Sequence, residues 1–247
     1  MAPVIWHFIK FFEQESYADA FMAGRLYLNT LAYFKRLESS TDGRMDSTEA
    51  VAMWWQPDDL VISLNVPGIG NTRITKRDLA GPVSMAYSHH DYLHILCLYA
   101  LYTDGFAYED GGKISCTAGQ VDEVRRQLTI DERCFKFGKF AVITPAVPFL
   151  NQLRAALVEH GYKATGRLVE YYDDKTFHGE IPVTDVPFKK QQRFSYQREF
   201  RICIDPVIRQ AGPLSINIGS LSHICAKVDS ARLPHLYDVQ FETAPAV

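Results

Sequence analysis

Several hallmarks of other protein classes are missing from this sequence of 247 residues. Its five cysteines are odd in number and form no CxxC pair, which excludes a disulfide framework and a zinc site of the usual spacing. The longest apolar run, residues 92–102, is too short for the roughly 20 residues that a membrane-spanning helix needs. Lys and Arg total 26 against 29 Asp and Glu, and this net charge of −3 excludes a generally basic nucleic-acid binder.

Internal repeats, low-complexity tracts and recognisable linkers are also missing, while 47% of the residues are hydrophobic and 22% are charged. These values are typical of a folded globular protein. We therefore expect one α+β domain over residues 1–242, followed by a loose tail at 243–247. The cysteine usage and the lack of a signal peptide favour a reducing cytoplasm, with no membrane contact.

Hydrophobic periodicity predicts three helices and a larger number of strands. The helices are expected over 12–23, 120–128 and 147–160, and the strands over 4–8, 25–29, 92–101, 140–144, 168–172, 198–205, 214–218 and 223–228. Gly24 is expected to end the first helix. The third helix should bury Phe149, Leu153, Ala156 and Leu157. Loops at 37–46 and 66–82 are candidates for the rim of an active site.

The most informative stretch is 188–205, with the sequence FKKQQRFSYQREFRICID. A strand over 196–204 would place Gln197, Glu199, Arg201 and Cys203 on one face and Tyr196, Phe200, Ile202 and Ile204 on the other. A Gln and a Glu two residues apart then point the same way, which suits a carboxylate that stabilises a cationic sugar beside an amide that positions the attacking group. The alternative is an exposed polar face of an edge strand.

Basic residues are concentrated in the same stretch. They alternate with Phe194, Tyr196 and Phe200, and such a mixture can bind single-stranded nucleic acid by phosphate contacts and base stacking. The candidate nucleic-acid-binding residues are Lys189, Lys190, Arg193 and Arg198. The alternative is a solvated edge with a buried aromatic side.

Three segments carry a family resemblance. They are the opening IWHFIKFFEQESYADAFMAGRLYLNT, the loop GRMD at 43–46, and QRE from Gln197 to Glu199. The opening resembles the start of the ADP-ribosyltransferase fold, and QRE resembles the Q-x-E of its catalytic strand. Within this superfamily the sequence most resembles the nucleic-acid-modifying toxins of bacterial toxin-antitoxin and phage-defence systems. The resemblance covers about half of the chain and implies a split β-sandwich with flanking helices.

The resemblance implies catalytic roles for three residues. Glu199 would be the carboxylate that hydrogen-bonds the nicotinamide ribose of NAD and stabilises the oxocarbenium ion as nicotinamide leaves. Gln197 would orient the acceptor nucleophile. Arg44 would bind the NAD pyrophosphate or stabilise the transition state, and its alternative is a solvated loop charge.

The resemblance also implies a binding site for NAD as donor substrate, with no metal. His7 would bind a ribose hydroxyl, and Tyr27 or Tyr33 would stack on the nicotinamide ring. The alternatives are a hydrogen-bonded structural histidine and packing tyrosines. The sequence departs from one branch of the family, because its first strand offers His7 and no arginine, and it has no clear Ser-Thr-Ser strand.

The expected function is therefore a cytoplasmic NAD-dependent mono-ADP-ribosyltransferase that modifies RNA or DNA in preference to protein, as a defence-system toxin with an antitoxin partner. One alternative is a catalytically silent module that binds RNA or protein on the same fold. Another is a metal-dependent nuclease built on two clusters, HHDxxH at 89–94 and DDKTFHGE at 173–180. The second cluster also has the composition of a turn.

Overall fold

A computed structural model describes residues 2–36, 48–68, 70–109, 113–205 and 212–235. The helices are α1 (Glu15–Met22), α2 (Leu31–Arg36), α3 (Val121–Leu128) and α4 (Ala146–Glu159). The strands are β1 (Val4–Phe12), β2 (Arg25–Thr30), β3 (Met53–Trp55), β4 (Ile62–Val66), β5 (Gly70–Ile74), β6 (Val83–Met85), β7 (His94–Thr103), β8 (Ala107–Glu109), β9 (Lys113–Ser115), β10 (Phe140–Pro145), β11 (Lys163–Leu168), β12 (Glu170–Tyr172), β13 (Gly179–Glu180), β14 (Lys189–Gln191), β15 (Glu199–Asp205), β16 (Leu214–Asn217) and β17 (Ala226–Asp229). The chain is thus a mixed fold of few helices and mostly antiparallel strands, in agreement with the predicted α+β class.

A large antiparallel sheet organises the molecule, with the strand order β11-β15-β7-β1-β10-β17. Strand β7 lies inside this sheet, and most of its side chains are buried. This position explains its nearly continuous apolar sequence, because both faces of the strand are covered. The prediction of a buried central strand over 92–101 is confirmed, with a shift of two residues at each end.

The sheet forks beside β7. The end of β7 pairs with β1, up to the pair Ile9 and Tyr99, whereas its start pairs with β2 through Ile95 and Asn29. Between these pairings, residues 96–98 of β7 have β15 as their only strand partner among the described residues. The Cys97 carbonyl in this gap accepts a hydrogen bond of 2.8 Å from Lys10 Nζ. Strands β1 and β2 therefore diverge and leave an opening.

The main hydrophobic core fills one face of this sheet, where α1 and α4 pack. The rings of Phe8 and Phe200 lie 4.8 Å apart, and Phe149 from α4 contacts Phe8 at 5.8 Å. The four residues predicted to point inward from α4 are all buried. Helix burial on this face stabilises the sheet and leaves its opposite face for other uses.

Strand β2 has the predicted alternation. Leu26 and Leu28 are buried, while Tyr27 between them is exposed. The helix before it is shorter than predicted, since α1 begins at Glu15 and ends at Met22, and β1 continues to Phe12. Gly24 follows with a φ of +87°, as expected for a glycine that ends a helix.

Some predictions about the remaining segments need correction. The strand expected over 223–228 begins only at Ala226, as β17, after a turn. The expected loop at 66–82 contains strand β5, which pairs with β4 in a hairpin. Gly68 lies in its turn at a φ of +82°, so the glycines close a tight turn instead of marking a long loop. The strand expected at 168–172 is divided into the end of β11 and β12. The predicted loop at 37–46 and the tail at 243–247 lie outside the described residues.

The longest described helix, α4, has 14 residues. Among the described residues, none of the helices has both the length and the apolar character needed to cross a membrane.

Candidate functional site

A cavity of about 330 Å³ opens at the fork of the sheet. Its floor consists of side chains from β7 and β15 together with Glu49, Lys190 and Gln197. Its walls come from β1 on one side and from β2 and α2 on the other. Glu199 and Arg201 lie across from Tyr99 and Cys97 in the antiparallel register, so these side chains share one face of the sheet. Phe200, between Glu199 and Arg201, points to the other face and packs in the main core with α1 and α4. The cavity therefore lies on the face opposite these helices. Small-molecule sites typically occupy about 300–1,000 Å³, and this cavity of about 330 Å³ is at the lower end of that range.

Four of the predicted catalytic and NAD-binding residues meet in this cavity. They are Glu199, Gln197, Tyr27 and Tyr33. These residues come from two separate parts of the chain, and the two tyrosines lie more than 160 positions before Gln197. Arg44, the third predicted catalytic residue, lies outside the described residues.

The structure does not bring His7 to the cavity. His7 lies on β1 between Leu101 and Pro145 of the neighbouring strands, and burial lowers its pKa. Lys10, three residues further along β1, lines the cavity instead. A strand rises about 3.4 Å per residue, so His7 lies about 10 Å further along β1, on the part where the sheet is closed.

The segment around the Q-x-E motif differs locally from the predicted continuous strand. Strand β15 begins at Glu199, and Gln197 ends a 3₁₀ turn, Gln192–Gln197. Between them Arg198 has a φ of +40°, which is uncommon for a residue with a side chain. Its guanidinium stacks on the Tyr102 ring at 3.9 Å and donates to the Tyr102 carbonyl at 2.6 Å. These contacts hold the turn.

Despite this turn, Gln197, Glu199 and Arg201 still share the cavity. The predicted core face of the strand is confirmed for Phe200, Ile202 and Ile204, all of which are buried. Tyr196 is an exception. It packs in a separate cluster, where the guanidinium of Arg133 lies 3.9 Å from the centre of its ring.

Arg201 is the centre of a buried ionic network. It donates five hydrogen bonds, two to Glu199 (3.1 and 3.2 Å), two to Glu49 (2.5 and 3.0 Å) and one to the Pro187 carbonyl (2.7 Å). A guanidinium has five N–H groups, so this side chain has no unused donor. Arg201 and Glu49 are each only 2% exposed. The pairing orients Glu199 by a two-point contact, which fixes the plane of its carboxylate.

Lys190 adds a second cation to the network. Its Nζ lies 2.8 Å from Gln197 Oε1, 3.3 Å from Glu199 Oε2 and 3.9 Å from Glu49 Oε2. Two carboxylates and two cations therefore share the floor of the cavity, and their formal charges cancel. Such balance is what makes deep burial of charge tolerable.

These neighbours keep Glu199 ionised. Burial alone raises the pKa of Glu199, but Arg201 and Lys190 outweigh it and hold the pKa of this carboxyl well below its usual range. Burial and the charge of Glu199 raise the pKa of the Cys97 thiol to about 12. Cys97 is thus a neutral thiol at physiological pH, and it hydrogen-bonds to Glu199.

The predicted basic surface is divided in the structure. Lys190 is 5% exposed and faces the buried carboxylates, so it does not belong to a surface patch. Lys189 is paired with Glu170, and the guanidinium of Arg198 lies on Tyr102. Arg193 is exposed, and its guanidinium lies 4.8 Å from the centre of the Phe194 ring. A nucleic-acid contact remains a prediction for Lys189, Arg193 and Arg198, of which Arg193 is the most accessible, whereas Lys190 is buried and does not offer such a contact.

Aromatic rings line both walls of the cavity. On the side of β2 and α2, Tyr27 is 56% exposed and Tyr33 is 43% exposed, and Tyr33 packs edge-on against Phe34. On the side of β1, Phe11 packs edge-on against Phe137 at 6.1 Å. Exposed aromatic faces beside a charged floor can bind a flat ring that carries a positive charge.

Several cavity residues were not predicted as site residues from the sequence, among them Glu49, Lys10 and Cys97. Glu49 had a detectable signal, because it is a single acid just before the apolar run 50–55. A buried charge inside such a run usually has an opposite charge as its partner. Lys10 and Cys97 lie in strands that look like ordinary core, and their role depends on where the sheet forks.

The two candidate metal clusters have other contacts. His94 Nε2 lies 2.9 Å from the Gly212 carbonyl, and Asp173 accepts a hydrogen bond from the Lys175 backbone in a turn. Within the described ranges, no group of three or more His, Cys, Asp or Glu side chains is placed to hold a metal ion. The turn expected within 173–180 is observed at the start of this segment, over 174–176.

No protein-family model, curated protein sequence or solved structure matches this chain. The geometry of the cavity and the chemistry of its side chains are therefore the basis for a functional assignment. Both single out the same four residues, namely Tyr27, Tyr33, Gln197 and Glu199.

Proposed function

We propose that this protein is an NAD-dependent mono-ADP-ribosyltransferase that modifies a macromolecule, with RNA or DNA favoured over protein. The observation that carries the proposal is the convergence of Tyr27, Tyr33, Gln197 and Glu199 in one cavity. A packing role for each residue alone would not require them to meet. The fork between β1 and β2 also supports an ADP-ribosyltransferase-like split β-sandwich as the finer description of the fold.

The proposed chemistry uses Glu199 as an electrostatic stabiliser. The bond between C1 of the ribose and the nicotinamide nitrogen breaks, and its electron pair leaves with nicotinamide. The ribose gains positive charge in that step, and an ionised carboxylate beside it lowers the barrier. Transfer is completed when an acceptor nitrogen bonds to the same carbon and loses its proton to solvent. Gln197, next to Glu199, is in the right place to orient that acceptor.

The proposed donor site uses the tyrosine wall. The nicotinamide ring carries a positive charge in NAD and loses it on release, and exposed tyrosine faces attract flat cations. Tyr27 and Tyr33 offer such faces at the mouth of the cavity. Lys10 adds a cation on the β1 side, which favours the phosphates of the same substrate.

The biological setting belongs to the same proposal. Transfer to a nucleic-acid base in single-stranded or flipped form fits a cavity too narrow for a duplex. A transferase of this kind acts as a toxin in the cytoplasm and requires a neutralising antitoxin protein. The exposed Arg193 beside Phe194 is the first residue to test for contact with such an acceptor.

The direct test is to incubate the protein with NAD and to measure free nicotinamide. The same samples, with NAD labelled in the adenylate part, are then offered total RNA, denatured DNA and a protein extract as acceptors. We expect nicotinamide release together with label in a nucleic-acid fraction. No nicotinamide release with any fraction, in a sample shown to be folded, would refute the proposal.

A second candidate is a binding module without catalysis, and one observation favours it. Both oxygens of the Glu199 carboxylate already accept hydrogen bonds from Arg201 or Lys190. A carboxylate satisfied in this way can serve as a fixed part of a binding surface. Saturable binding of NAD or RNA with no nicotinamide release would support this candidate over the transferase.

A further inference from the structure

We propose that two short 3₁₀ turns beside the cavity form a docking surface for a single strand of nucleic acid, with the guanidinium of Arg133 as the platform for one base. The turns are Glu132–Phe137 and Gln192–Gln197, and they contact each other. The identity of this partner rests on the proposed function, in which a nucleic acid is the acceptor. The first turn lies outside the basic stretch 188–205, so the surface includes residues that this stretch does not contain.

Each turn aligns two side chains toward the surface of the protein. In a 3₁₀ helix, side chains three positions apart lie one above the other. Lys136 therefore lies above Arg133 in the first turn, and Tyr196 lies above Arg193 in the second. All three cations are exposed. The two turns thus place three basic side chains and one aromatic ring side by side.

A column of stacked groups joins the two turns and reaches the cavity. The guanidinium of Arg133 lies 3.9 Å from the centre of the Tyr196 ring. The Tyr196 ring is stacked with that of Phe137, with 6.3 Å between their centres. Phe137 lines the cavity. The column therefore extends from the wall of the cavity to the surface, where Arg133 is its most exposed member.

The guanidinium of Arg133 is held in a fixed plane. Its Nε and Nη2 donate to the two carboxylate oxygens of Asp131 at 2.8 and 2.7 Å. This two-point contact fixes the orientation of the plane. The Arg133 side chain nevertheless remains 59% exposed. Because guanidinium planes stack on the bases of single-stranded nucleic acid, a base of the acceptor can continue the column that begins at Phe137.

The charge of this surface favours a phosphate backbone. Lys136 and Arg193 have no ion-pair partner among the described residues, whereas Arg133 is paired with Asp131. Glu132 lies a third of a turn away from Arg133, on another side of the first turn. Unpaired cations bind phosphates in any sequence. An acidic protein could also contact these cations, but the flat end of the stacked column favours a base.

Fluorescence anisotropy tests this surface, with labelled single-stranded RNA and DNA of about 12 nucleotides and the corresponding DNA duplex as probes. Arg133→Lys keeps the charge and removes the plane, so we expect the Kd for the single strands to rise about tenfold with an unchanged dependence on salt. Lys136→Ala should reduce the slope of log Kd against log salt by about 0.7, the value for one phosphate of a single strand. The duplex should bind more weakly than either single strand, because its bases are already stacked on one another.

Arg77→Lys and Lys163→Ala are the matched controls, because both residues are exposed and lie in other parts of the fold. Both controls should keep the wild-type Kd, and thermal unfolding checks the fold of every variant. Wild-type affinity in the double variant Arg133→Lys/Lys136→Ala, or an equal loss in the controls, would overturn the inference and leave the proposed function standing. The expected binding by a protein that releases no nicotinamide would refute the transferase and retain the docking surface.

Discussion

Two residues with unusual backbone angles stand next to the two buried carboxylates. Ala50 has a φ of +57° and follows Glu49, and Arg198 has a φ of +40° and precedes Glu199. Such angles cost energy in residues other than glycine, and they persist where surrounding contacts require them. At Arg198 the contacts with Tyr102 hold the angle, and beside each of the two residues Arg201 binds the adjacent carboxylate, Glu199 or Glu49. Both unusual angles therefore lie next to ion-paired carboxylates.

Glu49 should therefore contribute strongly to stability. Glu49→Gln leaves the buried cations with one carboxylate in place of two, and breaking a buried ion pair from one side costs about 3 kcal/mol or more. We expect the free energy of unfolding, measured with urea, to fall by about that amount. Glu159→Gln, an exposed change at the end of α4, is the matched control and should stay within about 0.5 kcal/mol. Equal stability of the two variants would contradict the network.

Tyr27 should matter for substrate and little for folding, since it is 56% exposed. Aromatic stacking is worth about 0.5–1.5 kcal/mol, so Tyr27→Ala should raise the KM for NAD by up to about tenfold. Tyr27→Phe keeps the ring and should preserve the KM. Tyr17→Ala, at a similarly exposed tyrosine on α1, is the control outside the cavity. If Tyr17→Ala raised the KM as much, the tyrosine wall would have no special role.

At the scale of elements, sequence periodicity was a good guide wherever one face of an element is buried. The alternation of β2 and the apolar stripe of α4 follow directly from burial against the core, and both were predicted. The start of β15 was not, because the turn at Arg198 depends on its contacts with Tyr102, 96 positions away. The fork beside β7 could not be predicted either, since strand pairing is a property of distant segments.

Gly24 offers a test of how tightly α1 and β2 are joined to the chain after β16. A Cβ at Gly24 would lie 1.9 Å from the Gly219 carbonyl oxygen, and φ is +87°. Gly24→Ala should therefore destabilise the protein by at least about 2 kcal/mol.

The matched control for Gly24→Ala is Gly81→Ala. No atom lies within 4 Å of a Cβ built at Gly81. This control should change stability by no more than about 0.5 kcal/mol. Both variants are measured by urea unfolding. A Gly24→Ala protein as stable as the control would show that α1 can shift away from Gly219 at little cost.

At the scale of the whole molecule, two buried groups make the fold sensitive to acid. Burial, His89 and Lys35 lower the pKa of His90 to about 4, and neither ring nitrogen of His90 has a hydrogen-bond partner among the described residues. Between about pH 6.5 and that value the unfolded chain binds a proton that the folded chain does not. Stability should therefore fall as the pH falls through this range.

Glu199 adds to this effect at lower pH. Its pKa is depressed in the fold, so its contribution is complete above its ordinary pKa, about 4.3, and declines below it. Urea unfolding at about pH 7 and about pH 5 measures the first step. His90→Leu should reduce the difference between the two values, and a difference equal to that of the wild type would assign the acid sensitivity to other groups.

The net charge of −3 belongs to the whole chain, whereas in the buried site two carboxylates, Glu49 and Glu199, balance two cations, Lys190 and Arg201. Glu199→Gln disturbs this balance. The substitution keeps the size of the side chain, but it leaves Arg201 and Lys190 with Glu49 alone, so we expect a lower melting temperature as well as lost activity. The double variant Glu199→Gln/Lys190→Met restores the balance of charge. It should melt closer to the wild type while remaining inactive, which separates chemistry from folding.

Nicotinamide release from NAD by the wild type, Glu199→Gln and the control Glu159→Gln is the most direct test of the proposed transferase. We predict equal rates for the wild type and Glu159→Gln, and a rate at least about a hundredfold lower for Glu199→Gln and for its charge-balanced double variant. Full nicotinamide release by a folded Glu199→Gln protein, or none by the folded wild type, would contradict the account.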